Sequence, residues 1–143
     1  MFIGEFAHTI DSKDRIILPA KFRKILDKDK VILAKGFEKC LFLYSLPEWN
    51  NLIKKLKNLS VFKKDAQKIK RTFISSAYEF QLDTQGRFLI PSHLKKYAEL
   101  EKEVSVIGVD ERIEIWNMTI WQKYSKEAEE NYAELADQLI NME

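Results

Sequence analysis

The chain has little cysteine, little glycine and no long apolar run, and each shortage excludes a class of protein. Its one cysteine, Cys40, cannot form a disulfide within the chain, and its apolar surroundings predict a buried, inert thiol. The four glycines form neither a G-x-G-x-x-G nor a G-x-x-x-x-G-K phosphate loop. No apolar stretch approaches the roughly 18 residues of a membrane helix, and the first residues lack a signal-peptide pattern. We therefore expect a cytoplasmic protein with no membrane partner.

Patterns for catalysis and metal binding are equally scarce. The two histidines, His8 and His93, have no Cys, Asp or Glu cluster at the spacing of metal ligands. No G-x-S-x-G nucleophile elbow occurs either. We expect a protein that is not an enzyme, with no metal, no cofactor and no small-molecule substrate.

Charge is divided unevenly along the 143 residues, although the net charge is only +2. Residues 1–72 carry 17 Lys and Arg against 8 Asp and Glu, a net +9. Residues 73–143 carry 7 against 14, a net −7. A basic half could bind a polyanion, or could meet the acidic half of another copy. The alternative is two solvated helical surfaces of opposite sign.

The strongest positive feature is an internal repeat with an offset of 72 residues. It predicts a duplicated unit, with a first repeat over 1–72 and a second over 73–143. The register holds without a gap for more than 40 positions. The matched pairs include Asp11 and Asp83, Arg15 and Arg87, Pro19 and Pro91, Gly36 and Gly108, and Trp49 and Trp121.

Each repeat predicts the same order of elements: a strand, a polar turn, a strand ended by proline, a short helix and two more strands. Ser45 with Glu48 then forms a capping box for a helix, and Asn117 is the equivalent cap. The first repeat continues into basic helices and the second into one long acidic amphipathic helix over 118–142. The apolar stripe of that helix predicts core or a subunit contact.

The two polar turns carry the clearest functional signal, because each starts with an aspartate and ends with an arginine four residues later. In exposed hairpins, Arg15 and Arg87 could contact phosphates or read guanine in the major groove. Alternatively, Asp11 and Asp83 only hold these arginines and staple the turns, and both roles are compatible. Another basic segment, over 54–71, could line nucleic acid or form a solvated helix face.

The duplicated D-x-x-x-R turn, each followed by an apolar triplet and proline, resembles the bacterial MraZ family, as do "MFIGEF" and "VIGVDERIEIW". The resemblance implies an α+β fold: a tandem AbrB-like swapped-hairpin β-barrel, formed as an intrachain pseudo-dimer with helices appended after each repeat. It also implies a nucleoid-associated transcriptional regulator that forms ring-like homo-oligomers. Its partner would be double-stranded promoter DNA, bound at short direct repeats upstream of its own operon in the division and cell-wall gene cluster.

Two positions depart from the family pattern: Asp14 replaces the usual glycine, and Ile3 stands where a basic residue is common. Asp14 can adopt the left-handed backbone that the turn needs. The residues expected to contact DNA are Lys13 and Arg15, then Arg87, Lys21 and Arg23, with Asp11 and Asp83 organising the turns.

The two copies of the turn are not expected to act equally. Lys21 and Arg23 add positive charge near the first turn, so the first repeat is expected to bind DNA and the second to complete the scaffold. The alternative from another class is an oligomeric scaffold or antitoxin-like partner that uses the same fold for protein contacts.

Overall fold

The computed structural model describes residues 1–142, so the last position of the second repeat lies outside the described residues. The first repeat contains β1 (Phe2–Thr9), β2 (Arg15–Ile17), α1 (Ala20–Leu26), β3 (Val31–Lys35), β4 (Cys40–Ser45), α2 (Leu46–Lys57) and α3 (Lys64–Ser75). The second contains β5 (Tyr78–Phe80), β6 (Arg87–Leu89), α4 (Ser92–Tyr97), β7 (Glu103–Asp110), β8 (Arg112–Asn117), α5 (Met118–Glu130) and α6 (Tyr132–Asn141). None of the described helices is long and apolar enough to cross a lipid bilayer.

Local sequence accounts for most of these elements. Pro19 precedes the first turn of α1, where its missing N–H costs nothing. Phe22 and Leu26 lie one helical turn apart on the buried face of α1. At the start of α2, the Ser45 hydroxyl accepts a hydrogen bond from the Glu48 N–H at 3.4 Å, which confirms the predicted cap.

The two repeats exchange strands. The main sheet has the order β1-β7-β8-β4-β3-β5, so the first strand of each repeat pairs with a strand of the other. A separate two-stranded sheet, here called the ribbon, consists of β2 and β6. The intrachain pseudo-dimer that the family resemblance implies is thus confirmed, because neither repeat completes the sheet with its own strands.

A pseudo-twofold axis relates the two halves. In the ribbon, Ile16 lies opposite Phe88, and in the main sheet Phe42 lies opposite Glu114. Both pairs are separated by 72 residues, so each residue faces its own counterpart. A residue pairs with its own counterpart only when the twofold axis passes between the two equivalent strands at that pair, as at an isologous interface.

The main sheet separates two hydrophobic clusters, which gives the molecule three layers. One face packs against the ribbon, α1 and α4, with both repeats contributing buried side chains such as Leu43 and Ile115. The other face packs against α2, α3 and α5, where Trp49 and Phe73 stack at 5.3 Å between ring centroids. The ribbon and the long helices therefore lie on opposite sides of the sheet.

The constant offset of 72 fails in one pair of strands. Leu33 pairs with Leu43, whereas in the second repeat Val106 pairs with Ile115. Leu33 and Val106 are therefore equivalent although 73 residues apart, and Gly36 is not the structural counterpart of Gly108. One extra residue between α4 and β7 is offset by one extra residue in the β3–β4 connection.

The prediction of one long C-terminal helix was wrong. Helix α5 ends at Glu130, and Asn131 has φ −121° and ψ 17° before α6 begins. The Asn131 carbonyl then accepts a hydrogen bond from the Leu135 N–H at 2.9 Å. The short polar side chain of asparagine competes with the helix for backbone hydrogen bonds and so favours helix ends. A break at Asn131 therefore has a local cause.

Candidate nucleic-acid interface

The first turn, residues 11–14, is organised by one carboxylate. Asp11 Oδ1 accepts hydrogen bonds from the backbone N–H groups of Lys13 at 2.8 Å and Arg15 at 2.9 Å. Its Oδ2 accepts from Arg15 Nε at 2.9 Å. These bonds hold the pKa of Asp11 below its ordinary value, chiefly through the backbone N–H of Arg15.

The second turn, residues 83–86, repeats this geometry. Asp83 accepts from the backbone N–H groups of Gln85 at 2.9 Å and Arg87 at 2.8 Å, and from Arg87 Nε at 2.9 Å. Its pKa is lowered for the same reason, with the backbone N–H of Arg87 as the main cause. Both aspartates thus combine the two local roles considered from sequence: they close the turn and hold the arginine.

Each arginine keeps donors for a further partner. Only Nε of Arg15 and of Arg87 bonds the aspartate, and their Nη atoms donate to no group among residues 1–142. A guanidinium held at Nε presents its other donors in a fixed orientation. That arrangement suits bidentate binding of a phosphate or of guanine O6 and N7.

Asp14 adopts the left-handed conformation expected of it, with φ 59°, and its counterpart Gly86 has φ 76°. The turn therefore forms without glycine. Asp14 also makes an ion pair that the sequence did not suggest, since its Oδ1 lies 2.6 Å from Lys95 Nζ on α4.

Arg23 was predicted to lie beside the first turn, but the structure places it against the second turn. Its Nη1 donates to the Gln85 carbonyl at 3.2 Å, and a Cβ on Gly86 would lie 2.1 Å from Arg23 Cδ. The exchange of strands explains the error, because it places the helix of each repeat next to the turn of the other. Lys21 lies exposed on the same helix.

This crossing adds one cationic side chain to each turn, Lys95 to the first and Arg23 to the second. The first combines three cations with two acids: Lys13, Arg15 and Lys95 with Asp11 and Asp14. The second combines two cations with one acid: Arg87 and Arg23 with Asp83. Each has a formal charge of +1, and among the turn residues the remaining basic difference is Lys13 in place of Gln85.

Two apolar residues on the ribbon were missed. Ile17 and Leu89 lie between the turns and are exposed, although they were predicted only as members of apolar triplets. The signal was the strand alternation itself. Arg15 and Arg87 are half-buried. Counting two residues on from each reaches Ile17 and Leu89, which lie on the same outward face of the ribbon.

The basic segment 54–71 belongs to a different surface. It spans α2, α3 and their connection, in the layer on the far side of the main sheet from the ribbon. The structure therefore does not bring its lysines together with the two turns.

The other candidate chemistries gain no support from the arrangement of residues. Burial raises the pKa of the Cys40 thiol to about 12, so the buried thiol remains protonated near neutral pH. Within residues 1–142, no three His, Cys, Asp or Glu side chains are grouped so that they could hold a metal ion.

Comparison with known proteins shows which family the sequence matches. The family model described as "MraZ protein, putative antitoxin-like" matches twice, over residues 1–72 and 73–142. A protein of Caldanaerobacter subterraneus subsp. tengcongensis named transcriptional regulator MraZ is 50% identical over 141 residues, covering 99% of this chain and 98% of that protein. One of the same name from Thermoanaerobacter pseudethanolicus is 47% identical over 139 residues, covering 97% and 96%. The chain belongs to the MraZ family.

Proposed function

We propose that this protein is a sequence-specific DNA-binding transcriptional regulator that acts in the cytoplasm at the nucleoid. Its site would be a set of short direct repeats in the promoter of its own operon, in the division and cell-wall gene cluster. The names of the relatives support regulation of transcription. The observation that carries DNA binding is the pair of Asp-held arginines, Arg15 and Arg87, at the two ends of an exposed ribbon.

The geometry suits the major groove. A two-stranded ribbon fits a groove about 12 Å wide, and its outward side chains then reach the base edges. Arg15 and Arg87 would bind guanine or phosphate with their Nη atoms, while Asp11 and Asp83 limit the conformational entropy lost on binding. Lys13, at the exposed tip of the first turn, would contact a phosphate.

Titration of a DNA fragment from the protein's own promoter tests this proposal. Fluorescence anisotropy at low and moderate salt should show tight binding by the wild type and much weaker binding by Arg15→Ala. The matched control is Arg71→Ala, because Arg71 is exposed on α3 in the layer opposite the ribbon. The proposal fails if wild type and Arg15→Ala bind this fragment equally at low salt.

The relative use of the two turns is a separate part of the proposal. Arg15→Ala should weaken binding more than Arg87→Ala, because Lys13 adds a phosphate contact only at the first turn. Lys13→Gln should lower the salt dependence of log K by about one unit, and Gln85→Lys should raise it by a similar amount. Equal losses of DNA affinity for Arg15→Ala and Arg87→Ala would contradict this, because they would show that both turns contact DNA equally.

A ring-like homo-oligomer is the second part of the proposal, and two uncovered surfaces of opposite charge support it. The α2–α3 connection exposes Val61 and Phe62, the latter 94% accessible, among lysines. Helix α6 exposes Tyr132, Leu139 and Ile140 among acidic residues. A basic apolar surface on one copy can bind an acidic apolar surface on the next, and such head-to-tail contacts close into a ring when the rotation allows.

Size-exclusion chromatography with light scattering tests the oligomer. Phe62→Ser should reduce the average mass, whereas Ile74→Ser, an exposed residue on α3, should not. Rising salt should weaken wild-type assembly, because opposite charges are screened. An average mass that is insensitive to both salt and Phe62→Ser would exclude this contact. Loss of assembly should also weaken binding to repeated DNA sites, through lost effective concentration.

The alternative of an antitoxin-like partner protein retains one supporting observation, the description of the family model. It differs from the first proposal in its expected partner. A protein that assembles normally but shows no preference for its promoter fragment over unrelated DNA would favour this alternative.

A further inference from the structure

The outward face of the ribbon combines charge with exposed aliphatic surface. Ile16 and Phe88 point inward and are buried, so their neighbours in sequence point outward. Of these neighbours, Ile17 is 43% and Leu89 50% exposed, so about half of each remains open to solvent. Arg15 and Arg87 share this face, as the strand alternation requires.

The register places the four outward side chains at the corners of a rectangle. Arg15 lies opposite Leu89, and Ile17 lies opposite Arg87. The pseudo-twofold axis at Ile16 exchanges these two pairs. Each half of the face therefore presents an arginine beside an aliphatic side chain, in opposite orientation. The aliphatic corners are diagonal neighbours, which in an antiparallel pair lie about 7–8 Å apart.

We propose that Ile17 and Leu89 read thymine through its C5 methyl group while the ribbon occupies the major groove. This inference rests on the DNA-binding function proposed above. The thymine methyl is the one apolar group that base pairs present in that groove, so it is the natural partner for an aliphatic side chain beside arginines. A protein partner would have to cover both cationic side chains as well, whereas DNA offers anions and methyl groups together.

The geometry also sets the spacing of the methyl groups. A separation of about 7–8 Å corresponds to roughly two base-pair steps of 3.4 Å. Because the pseudo-twofold axis inverts one half of the face relative to the other, the two thymines lie on opposite strands. Within each bound unit, the methyl contacts are therefore arranged as an inverted pair.

Replacing thymine by uracil tests this directly, because it removes the methyl groups and leaves charge and base pairing unchanged. The probe is the protein's own promoter fragment, amplified with thymine or with deoxyuridine in its place. Because each lost methyl contact returns apolar surface to water, two lost contacts predict a loss of roughly ten-fold in wild-type affinity. Ile17→Ser/Leu89→Ser should bind thymine DNA about as weakly as the wild type binds uracil DNA, and should not distinguish the two probes.

Three controls separate this role from others. Ile17→Val/Leu89→Met keeps apolar surface and should keep the preference for thymine. Ile74→Ser, 41% exposed on α3, should behave as wild type. The double serine variant should retain the salt dependence of binding, since methyl contacts release no counterions. Thermal unfolding confirms that each variant folds.

The outcomes distinguish the inference from the function on which it rests. Tight wild-type binding with no loss on uracil DNA overturns the inference but leaves DNA binding intact. Full thymine preference in the double serine variant also overturns it. A changed oligomeric mass with unchanged DNA affinity in that variant would identify the ribbon as a subunit contact and reject methyl reading. Absence of any binding to the promoter fragment would reject the proposed function itself.

Discussion

Single residues set the geometry of each turn. Asp11 and Asp83 close their turns through backbone N–H groups and hold the guanidinium of the arginine that follows. This double use explains why the acid and the arginine are spaced by four in both copies. The spacing alone predicts the interaction, because all the groups involved lie within one short stretch of chain.

The first prediction concerns pH. The pKa of Asp83 is lowered in the folded protein, so its ionised form contributes stability above the ordinary value of 3.8, and this contribution is lost as pH falls through the lower folded pKa. Asp83→Asn should therefore be less stable than wild type at pH 6, and the difference should shrink toward pH 3. Urea unfolding at several pH values measures this. A difference that is independent of pH would contradict the role of the charge.

The second prediction uses the difference between Asp14 and Gly86. Asp14→Gly relieves a positive φ but loses an exposed ion pair with Lys95, so the free energy of unfolding should change by less than about 1 kcal/mol. Its DNA affinity should rise several-fold at low salt, because an acid near Lys13 is removed.

The reverse change provides the comparison. Gly86→Asp should cost about 1–2 kcal/mol, since its Cβ would displace Arg23 and break the bond to the Gln85 carbonyl. Chemical denaturation of both variants measures the contrast. Equal changes in the free energy of unfolding for the two variants would contradict this, because they would show that Arg23 can move aside without loss of stability.

Side-chain caps begin the helices in the C-terminal part of each repeat, α2 in the first and α5 in the second. Asn117 Oδ1 accepts from the Ile120 N–H at 3.1 Å, and its Nδ2 donates to the Glu99 carbonyl at 2.8 Å. Ser45, its counterpart, makes only the longer cap bond to Glu48. The same sequence position therefore has one local bond in the first repeat and two bonds, one of them long-range, in the second.

The third prediction compares these caps. Asn117→Ala should lower the free energy of unfolding by about 1–2 kcal/mol, since it removes a cap and leaves a carbonyl without its donor. Ser45→Ala should cost less, about 0.5–1 kcal/mol. Thermal and urea unfolding of both variants decide the order. A larger loss for Ser45→Ala would contradict the observed bonding.

Elements defined by local patterns were the easiest to predict. Helix α1 forms where a short helix is predicted after the proline, because its apolar spacing, preceding proline and flanking polar residues agree. The C-terminal segment was harder, because amphipathic spacing continues through Asn131 while the backbone does not. Apolar spacing shows which side chains lie on the same face of a helix. It does not show a break in the helix when the same spacing continues on both sides of the break.

Across the whole molecule, the two repeats depend on each other. Strand β1 pairs with β7, β3 with β5, and β4 with β8, so the main sheet cannot form from either repeat alone. A repeat by itself would also leave half of the central cluster exposed to water.

The fourth prediction follows from this dependence. Fragments 1–72 and 73–143 should each be largely unfolded as monomers, as measured by circular dichroism and by amide dispersion in NMR spectra. Mixing the two fragments should restore a folded complex. Two copies of one fragment that exchange strands to form a dimer would also agree with the interlocked sheet. A folded, monomeric single repeat would contradict the interlocked sheet.

The sequence by itself determined the duplication, most of the element order and the two Asp–Arg turns, because each depends on residues close together in the chain or on a direct match between copies. The tertiary structure decided which helix lies on which turn, the one-residue shift between Leu33 and Val106, and which apolar residues stay uncovered. These features depend on strand exchange between distant segments. Only that exchange places Arg23 on the second turn and Lys95 on the first, and leaves Ile17 and Leu89 facing outward beside two arginines.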